Sequence, residues 1–387
     1  MQLSIEAVTE AARARAGLQE FGPDLSLEGL SVFVDALNRE AELTELGTQI
    51  AFGRIVSFLV NRLELTDWIS RHPEVLREEI RNPIFIVGMA RSGTTILHDL
   101  LALDPVHRVP QTWEVTRPCP PPESATYESD PRIAEEQGRV EMALKQNPKL
   151  ATMHPMGAQL PQECGVIRCN NFTSPSLRNM FRVPSYAKWV DGIDYVLVYA
   201  AERRQLQLMQ WRCKRERWVL KSPQHLATLG DLVREFPDAY LVQTHRDPVP
   251  AIASLTSLTA TLRALVCARV DVREIARDWL DHVPVNLDRS VAWREETGFD
   301  RRRVADLPFA ELMRDPVAAI ERVYGQFGLA WSGALADRLR RFLAEHPSDK
   351  HGKHQYSFAD TGLSLDEVRE RSRRYQEYFG VPSERVR

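Results

Sequence analysis

Three apolar, strand-like runs in the 387-residue sequence end in residues suited to holding an anion. The first, IFIV at 84–87, leads into Gly88-Met89-Ala90-Arg91-Ser92-Gly93-Thr94-Thr95. Set against the phosphate-loop spacing G-x4-G-K-[ST], both glycines and the closing Thr95 fit, but Thr94 stands where lysine belongs. The backbone half of a phosphate cradle therefore survives: successive N–H groups at a helix start, helped by the helix dipole. The cation that reaches a β or γ phosphate is missing, and Arg91 supplies a charge three positions earlier. Such a loop suits an anion presenting one 5′ phosphate rather than a Mg²⁺-bound triphosphate; the plain alternative is a glycine turn with no ligand. The second run, RWVLKSP at 217–223, ends at Lys221, and the third, AYLVQTHRDP at 239–248, ends at Arg246. Ser254 follows Arg246 by eight residues, so the two could share a second phosphate. Taken singly, Arg246-Asp247 is equally a local ion pair, and Ser254 an ordinary helix residue.

These runs need a scaffold that aims their ends at one place. Strand, turn, helix, strand and helix in this order predict a parallel sheet with crossover helices. In such open sheets ligands sit beyond the carboxyl ends of the strands. The expected fold class is α/β: a P-loop-like parallel sheet flanked by helices over 81–387, with a helical N-terminal extension over 1–80. The extension reads from apolar residues spaced by three and four in SLEGLSVFVDALNREAEL and GTQIAFGRIVSFLVNRLEL. Further helices are expected from about Ser92 to Leu103, over 131–146 with Asp130 as N-cap, and from about His225 to Phe236. Residues 115–129 are proline-rich and polar and read as a loop. Past 270 the pattern is helical except for DKHGKHQYSFADTGL at 349–363, a basic loop with two glycines.

The formal net charge is −3, so no global field draws the chain to nucleic acid and anion binding has to be local. Only seven residues are lysine, which makes Lys221 at a strand end more telling. Cys119, Cys164, Cys169, Cys213 and Cys267 show no CxxC spacing and read as free thiols. With no run of about 18 apolar residues and no charged-then-apolar leader, a soluble cytoplasmic protein without a membrane span is expected. A homodimer is one assembly the sequence permits.

Together the loop, Lys221 and the R-x7-S element at Arg246 and Ser254 resemble the sulfotransferases that use 3′-phosphoadenosine 5′-phosphosulfate. In that superfamily a P-[RK]-[ST]-G-T-T loop binds the 5′ phosphosulfate; here it reads Ala90-Arg91-Ser92-Gly93-Thr94-Thr95, with Ala90 in place of proline. The stretch LKSPQHLATLGDLVREFPDAYLVQTHRDP is similar to bacterial relatives of tyrosylprotein sulfotransferases, in which a lysine 15 residues before the Phe of "FP" is catalytic. Lys221 and Phe236 have that spacing.

The resemblance implies in-line transfer of a sulfuryl group to an acceptor hydroxyl or amine, with no metal. Arg91 cannot give up its proton, so its role is electrostatic. Lys221 can place a point charge on the bridging oxygen and donate a proton. Arg91 and the amides of Ser92, Gly93, Thr94 and Thr95 hold the 5′ phosphosulfate, Arg246 and Ser254 hold the 3′ phosphate, and Lys353 and His354 either close over the 3′ phosphate or belong to a solvated surface loop. Glu114, after the loop helix, lies where the resembling enzymes carry a catalytic glutamate and is the first choice of base. His225 is the second, being equally a helix N-terminal residue; His98 reads as packing. Glu163 either lines the acceptor pocket or is a solvated loop carboxylate. The acceptor itself, a small-molecule, lipid or phenolic hydroxyl, is not named by the sequence. The aromatic and methionine residues of 115–215 either line an apolar pocket or form core, with core the default. A P-loop kinase or NTPase is the rival enzyme class, opposed by Thr94 and by Asp247 being the one candidate Mg²⁺ carboxylate. A non-catalytic nucleotide-binding module is the third reading, opposed by the retention of Lys221 and Arg91.

Overall fold

The computed structural model describes residues 2–22, 27–153, 155–346 and 355–385. Its centre is one parallel five-stranded sheet in the order β2-β3-β1-β4-β5, built from β1 (Ile84–Val87), β2 (His107–Arg108), β3 (Arg217–Lys221), β4 (Tyr240–His245) and β5 (Val304–Pro308). β1 lies in the middle, with β3 on one side and β4 on the other. The strand order reverses there, which makes the crevice beyond β1 a topological switch point.

Strands covered on both faces can be apolar throughout, and IFIV is buried at every position. The pleat divides the strand between two cores. Ile84 and Ile86, with Val219, Val242 and Leu307, face the helices Thr94–Leu101, Pro316–Phe327 and Gly333–Glu345. Phe85 and Val87, with Trp218, Leu220 and Leu241, face the helices Tyr195–Gln210 and Leu229–Glu235.

The N-terminal helices α1 (Ile5–Ala16), α2 (Glu28–Glu40) and α3 (Glu45–Arg71) form as the three-and-four spacing predicts. Their apolar faces share one cluster with Phe172, Phe181, Val183 and Tyr186, so the three helices pack on the 169–190 segment. Phe33 meets Phe181 edge-on at 5.8 Å and Tyr186 at 5.0 Å.

Several expected boundaries shift. The helix expected from His225 to Phe236 is a 3-10 turn, Pro223–Ala227, followed by the helix Leu229–Glu235. The helix after the glycine turn, here α4, spans Thr94–Leu101. A short helix, Thr112–Thr116, opens the proline-rich segment. The helix Pro131–Gln146 starts as read, with the Asp130 side chain accepting from the Arg132 amide. Strands β2 and β5 lie where the sequence reading had placed none.

Candidate active site

Strand register brings the predicted residues together. Ile86 pairs with Lys221 and Val87 with Gln243, so Gly88, Lys221 and Arg246 all lie at the carboxyl edge of the sheet. Gly88 has φ 144°, and a Cβ there would collide with the Thr244 hydroxyl of the neighbouring strand. Only glycine lets β1 turn so close to β4. Ser92, fully buried, pins the turn from inside: its hydroxyl reaches the Met89 carbonyl at 2.5 Å and Thr244 Oγ1 at 2.6 Å. Arg91 is held at φ 71°, unusual for a residue with a side chain and a form of strain concentrated at functional sites. Gly93 is the N-cap of α4, and no side chain caps the helix. The first N–H groups, including those of Thr94 and Thr95, are thus left without a helical partner at the strand ends.

Arg91, Arg246 and Ser254 form one cluster beside this mouth. Arg91 Nε donates to Ser254 Oγ at 3.0 Å and its Nη1 to the Met153 carbonyl at 3.0 Å. Arg246 Nη1 donates to the Arg91 carbonyl at 2.7 Å. Burial, opposed by Tyr356 and aided by Arg246, pulls the Arg91 guanidinium below its usual range. For Arg246, burial acts in the same direction but is outweighed by the hydrogen bonds it donates to Glu384 and the charge of that carboxylate, with Tyr356 adding to them, so its affinity for the proton is raised. Glu384 grips Arg246 with both oxygens, at 2.8 and 3.0 Å. The Glu384 amide is itself tied to Asp247, which forms a two-oxygen pair with Arg369. Asp247 is therefore the N-cap of the helix Pro248–Arg263 and an arginine partner at once. Lys353 and His354 lie outside the described residues; Tyr356, from the same stretch, reaches Arg246.

Lys221 is 1% exposed and its Nζ lies 2.5 Å from Glu163 Oε1. Glu163 retains partial exposure at 27%, so it faces both the lysine and open space. An ammonium this deeply buried requires a partner, and Glu163 supplies it. The Lys221 charge also reaches α4. Together with burial it holds His98 neutral, with a pKa lowered to about 3.

Glu114 and His225, the two bases expected from sequence, are both placed otherwise. Glu114 is 0% exposed. Its oxygens accept from Arg108 at 2.8 and 3.2 Å, from the Gln111 amide at 2.8 Å and from the Tyr127 hydroxyl at 3.2 Å. It closes a capping box on the helix Thr112–Thr116. The carboxylate is thus paired with a buried arginine, with both oxygens engaged. His225 is equally buried; its Nδ1 accepts from Arg168 at 3.1 Å and from the Tyr199 hydroxyl at 2.9 Å. Burial and the Arg168 charge press its pKa well below the histidine range. Cys164, Glu202 and His225 could together offer ligand atoms within 4.8 Å of one another, but Arg168 already sits on Glu202 as its counter-ion at 2.7 Å.

Most of the aromatic set in 115–215 is core: Phe172, Phe181, Tyr195 and Tyr199 are buried. All five cysteines are buried free thiols. Among the described residues no helix is long and apolar enough to cross a membrane.

With this geometry fixed, comparison with known proteins is decisive. Residues 83–333 match the Sulfotransferase family. The chain belongs to that family. The matched span begins just before β1 and contains the glycine turn, Lys221, Arg246 and Ser254. The sulfotransferase fold extends to the N-terminal helices as well. The crystal structure of sulfotransferase STF1 from Mycobacterium tuberculosis superposes with a TM-score of 0.85 at 32% identity, covering 96% of this chain and 98% of that one. Sulfotransferase STF9 from Mycobacterium avium gives a TM-score of 0.89 at 29% identity over 98% and 97% of the two chains. A curated relative, omega-hydroxy-beta-dihydromenaquinone-9 sulfotransferase Stf3 of Mycobacterium tuberculosis, is 28% identical over 289 residues, or 70% of this chain and 69% of its own.

Proposed function

We propose that this sulfotransferase moves the sulfuryl group of 3′-phosphoadenosine 5′-phosphosulfate to a lipid or phenolic hydroxyl, with Lys221 and Glu163 at the reacting end. The observation that carries the reading is the buried Lys221–Glu163 pair at the sheet edge, beside an uncapped helix mouth. The residues present suit the donor. The free N–H groups of the Gly93–Thr95 turn face the position of the 5′ phosphosulfate, and Arg91 adds charge. Arg246 and Ser254 suit the 3′ phosphate. Lys221 meets charge growing on the bridging oxygen as the S–O bond breaks. Glu163, beside Lys221 and partly open to solvent, takes the acceptor proton in this reading, in place of Glu114 and His225 as base. No step requires a metal. The lipid acceptor is suggested by the relative whose name specifies a menaquinone-type alcohol. The soluble, cytoplasmic character and the division into a helical extension and a catalytic domain are part of the same proposal.

The donor assignment is testable by calorimetry with adenosine 3′,5′-bisphosphate and adenosine 5′-monophosphate. Arg246→Ala is expected to weaken the bisphosphate by ~1.5–3 kcal/mol, the value of a charged hydrogen bond, and to spare the monophosphate. Glu384→Gln removes a carboxylate that competes for the same guanidinium. It is expected to tighten the bisphosphate about tenfold, or ~1.4 kcal/mol. Equal losses for both nucleotides in Arg246→Ala would remove Arg246 from the 3′ site. Weaker bisphosphate binding in Glu384→Gln would make Glu384 a support for Arg246 rather than a competitor.

A further inference from the structure

Lys221 and Glu163 stand 58 residues apart in the chain, so the geometry of their contact depends on what fixes one backbone against the other. Glu163 is the N-cap of the six-residue helix Cys164–Cys169. Lys221 closes β3 and is followed at once by the 3-10 turn Pro223–Ala227.

That helix is fastened to the end of β3 at three places. Cys164, directly after Glu163, is fully buried against the Lys221 backbone. Burial and the Glu202 charge push its thiol well above the usual range, opposed by Arg168 and by a hydrogen bond with that backbone. Gly165 comes next. A Cβ there would lie 3.2 Å from Gln224 Nε2 and 3.3 Å from Ser176 Oγ, so the helix rests on the Gln224 side chain with no space for a methyl group. Arg168, one turn on, donates from Nη2 to His225 Nδ1 at 3.1 Å. Residues three and four apart share a helix face. The positions 164, 165 and 168 thus run in order along 221, 224 and 225.

His225 anchors this seam. Its Nδ1 also accepts from the Tyr199 hydroxyl at 2.9 Å, and that hydroxyl is bonded in turn to Thr228 Oγ1 at 2.9 Å. Two donors on one nitrogen require a neutral ring with its proton on Nε2, the charge state that burial and Arg168 enforce. The ring stacks on Tyr199 and meets Phe85 of β1 edge-on. Arg168 is fixed from its other side by Glu202, Nε to Oε2 at 2.7 Å. The helix cannot drift outward without leaving a buried charge or a buried acceptor unpaired.

We propose that His225 and Gly165 are positioning residues for sulfuryl transfer, setting the place of Glu163 against Lys221 through Arg168 and Gln224. Neither needs to touch donor or acceptor. The proposal rests on Lys221 and Glu163 being the reacting pair.

The test combines turnover of 2-naphthol with ¹³Cε-lysine NMR of the whole chain. The NMR arm needs no acceptor, and the Lys221 resonance is assigned by its loss in Lys221→Arg. His225→Phe keeps the ring but removes the acceptor for Arg168. His225→Asn returns an oxygen close to the Nδ1 position. Gly165→Ala crowds Gln224 and strands no buried charge. In His225→Phe, kcat is expected to fall roughly ten- to a hundredfold, the scale of an ångström-sized misplacement, with affinity for adenosine 3′,5′-bisphosphate unchanged. His225→Asn recovers most of that loss, and Gly165→Ala costs roughly threefold to tenfold. The Lys221 resonance moves in His225→Phe and Gly165→Ala and returns in His225→Asn. Added to Glu163→Gln, His225→Phe lowers kcat no further, because its effect passes through Glu163. Losses that multiply in that double variant, or an unmoved Lys221 resonance in His225→Phe, overturn the proposal while leaving the reacting pair in place. If His225→Phe does not fold, the same two readouts in Gly165→Ala decide it. Wild-type turnover in Glu163→Gln strikes the reacting pair itself, and the proposal falls with it.

Discussion

Lys221→Ala is expected to lower kcat on the order of 10²–10³-fold, the usual effect of removing one preorganised donor to developing charge. Bisphosphate affinity should change far less, because the contact strengthens only as the leaving oxygen gains charge. The fold should tolerate the change: Glu163, the partner left behind, is 27% exposed and can be hydrated. Lys221→Arg should restore little, since a planar guanidinium is broader than an ammonium and does not give up its proton. Pre-steady-state kinetics separates the outcomes. A variant with unchanged kcat and a raised donor KM would make Lys221 a binding residue alone.

Glu163→Gln carries the second large effect, a fall in turnover on the order of 10²–10⁴-fold, the range for a general base. The glutamine carbonyl still accepts from the buried Nζ, so Lys221 is not stranded. Residual activity should be highest with acidic phenols, which need little help to ionise, and lowest with aliphatic alcohols. Glu114→Gln should behave differently. It breaks a fully buried pair with Arg108, an event worth roughly 3–5 kcal/mol, so the thermal midpoint falls while the ranking of acceptors is kept. If Glu114→Gln instead shows the acceptor-dependent loss and Glu163→Gln does not, the base assignment reverts to Glu114.

What the sequence revealed follows from how far its signals reach. β1, β3 and β4 are buried on both faces, so each carries a short apolar run, IFIV, WVL and YLV. The glycine turn and the R-x7-S element are local, and their residues do converge at one edge of the sheet. β2 is two residues, His107 and Arg108, carrying no apolar signal at all. β5 is an edge strand, VADLP, with exposed alternate positions toward its end and a terminal proline. The environment of the expected base was hidden for a physical reason. Glu114 sits at a plausible distance along the chain, but its environment is set by Arg108 and Tyr127, which sequence spacing cannot show. Glu163 meets Lys221 across 58 residues of chain, and Glu384 meets Arg246 across 138. Neither contact has a local pattern.

The most direct test of the account is a transfer assay with 3′-phosphoadenosine 5′-[³⁵S]phosphosulfate and 2-naphthol, run beside γ-labelled ATP under the same conditions. The account predicts that ³⁵S label moves to the naphthol in the wild type, that Glu163→Gln and Lys221→Ala nearly abolish it, and that ATP transfers nothing. Transfer of the ATP label, or ³⁵S transfer that persists undiminished in both variants, would contradict it.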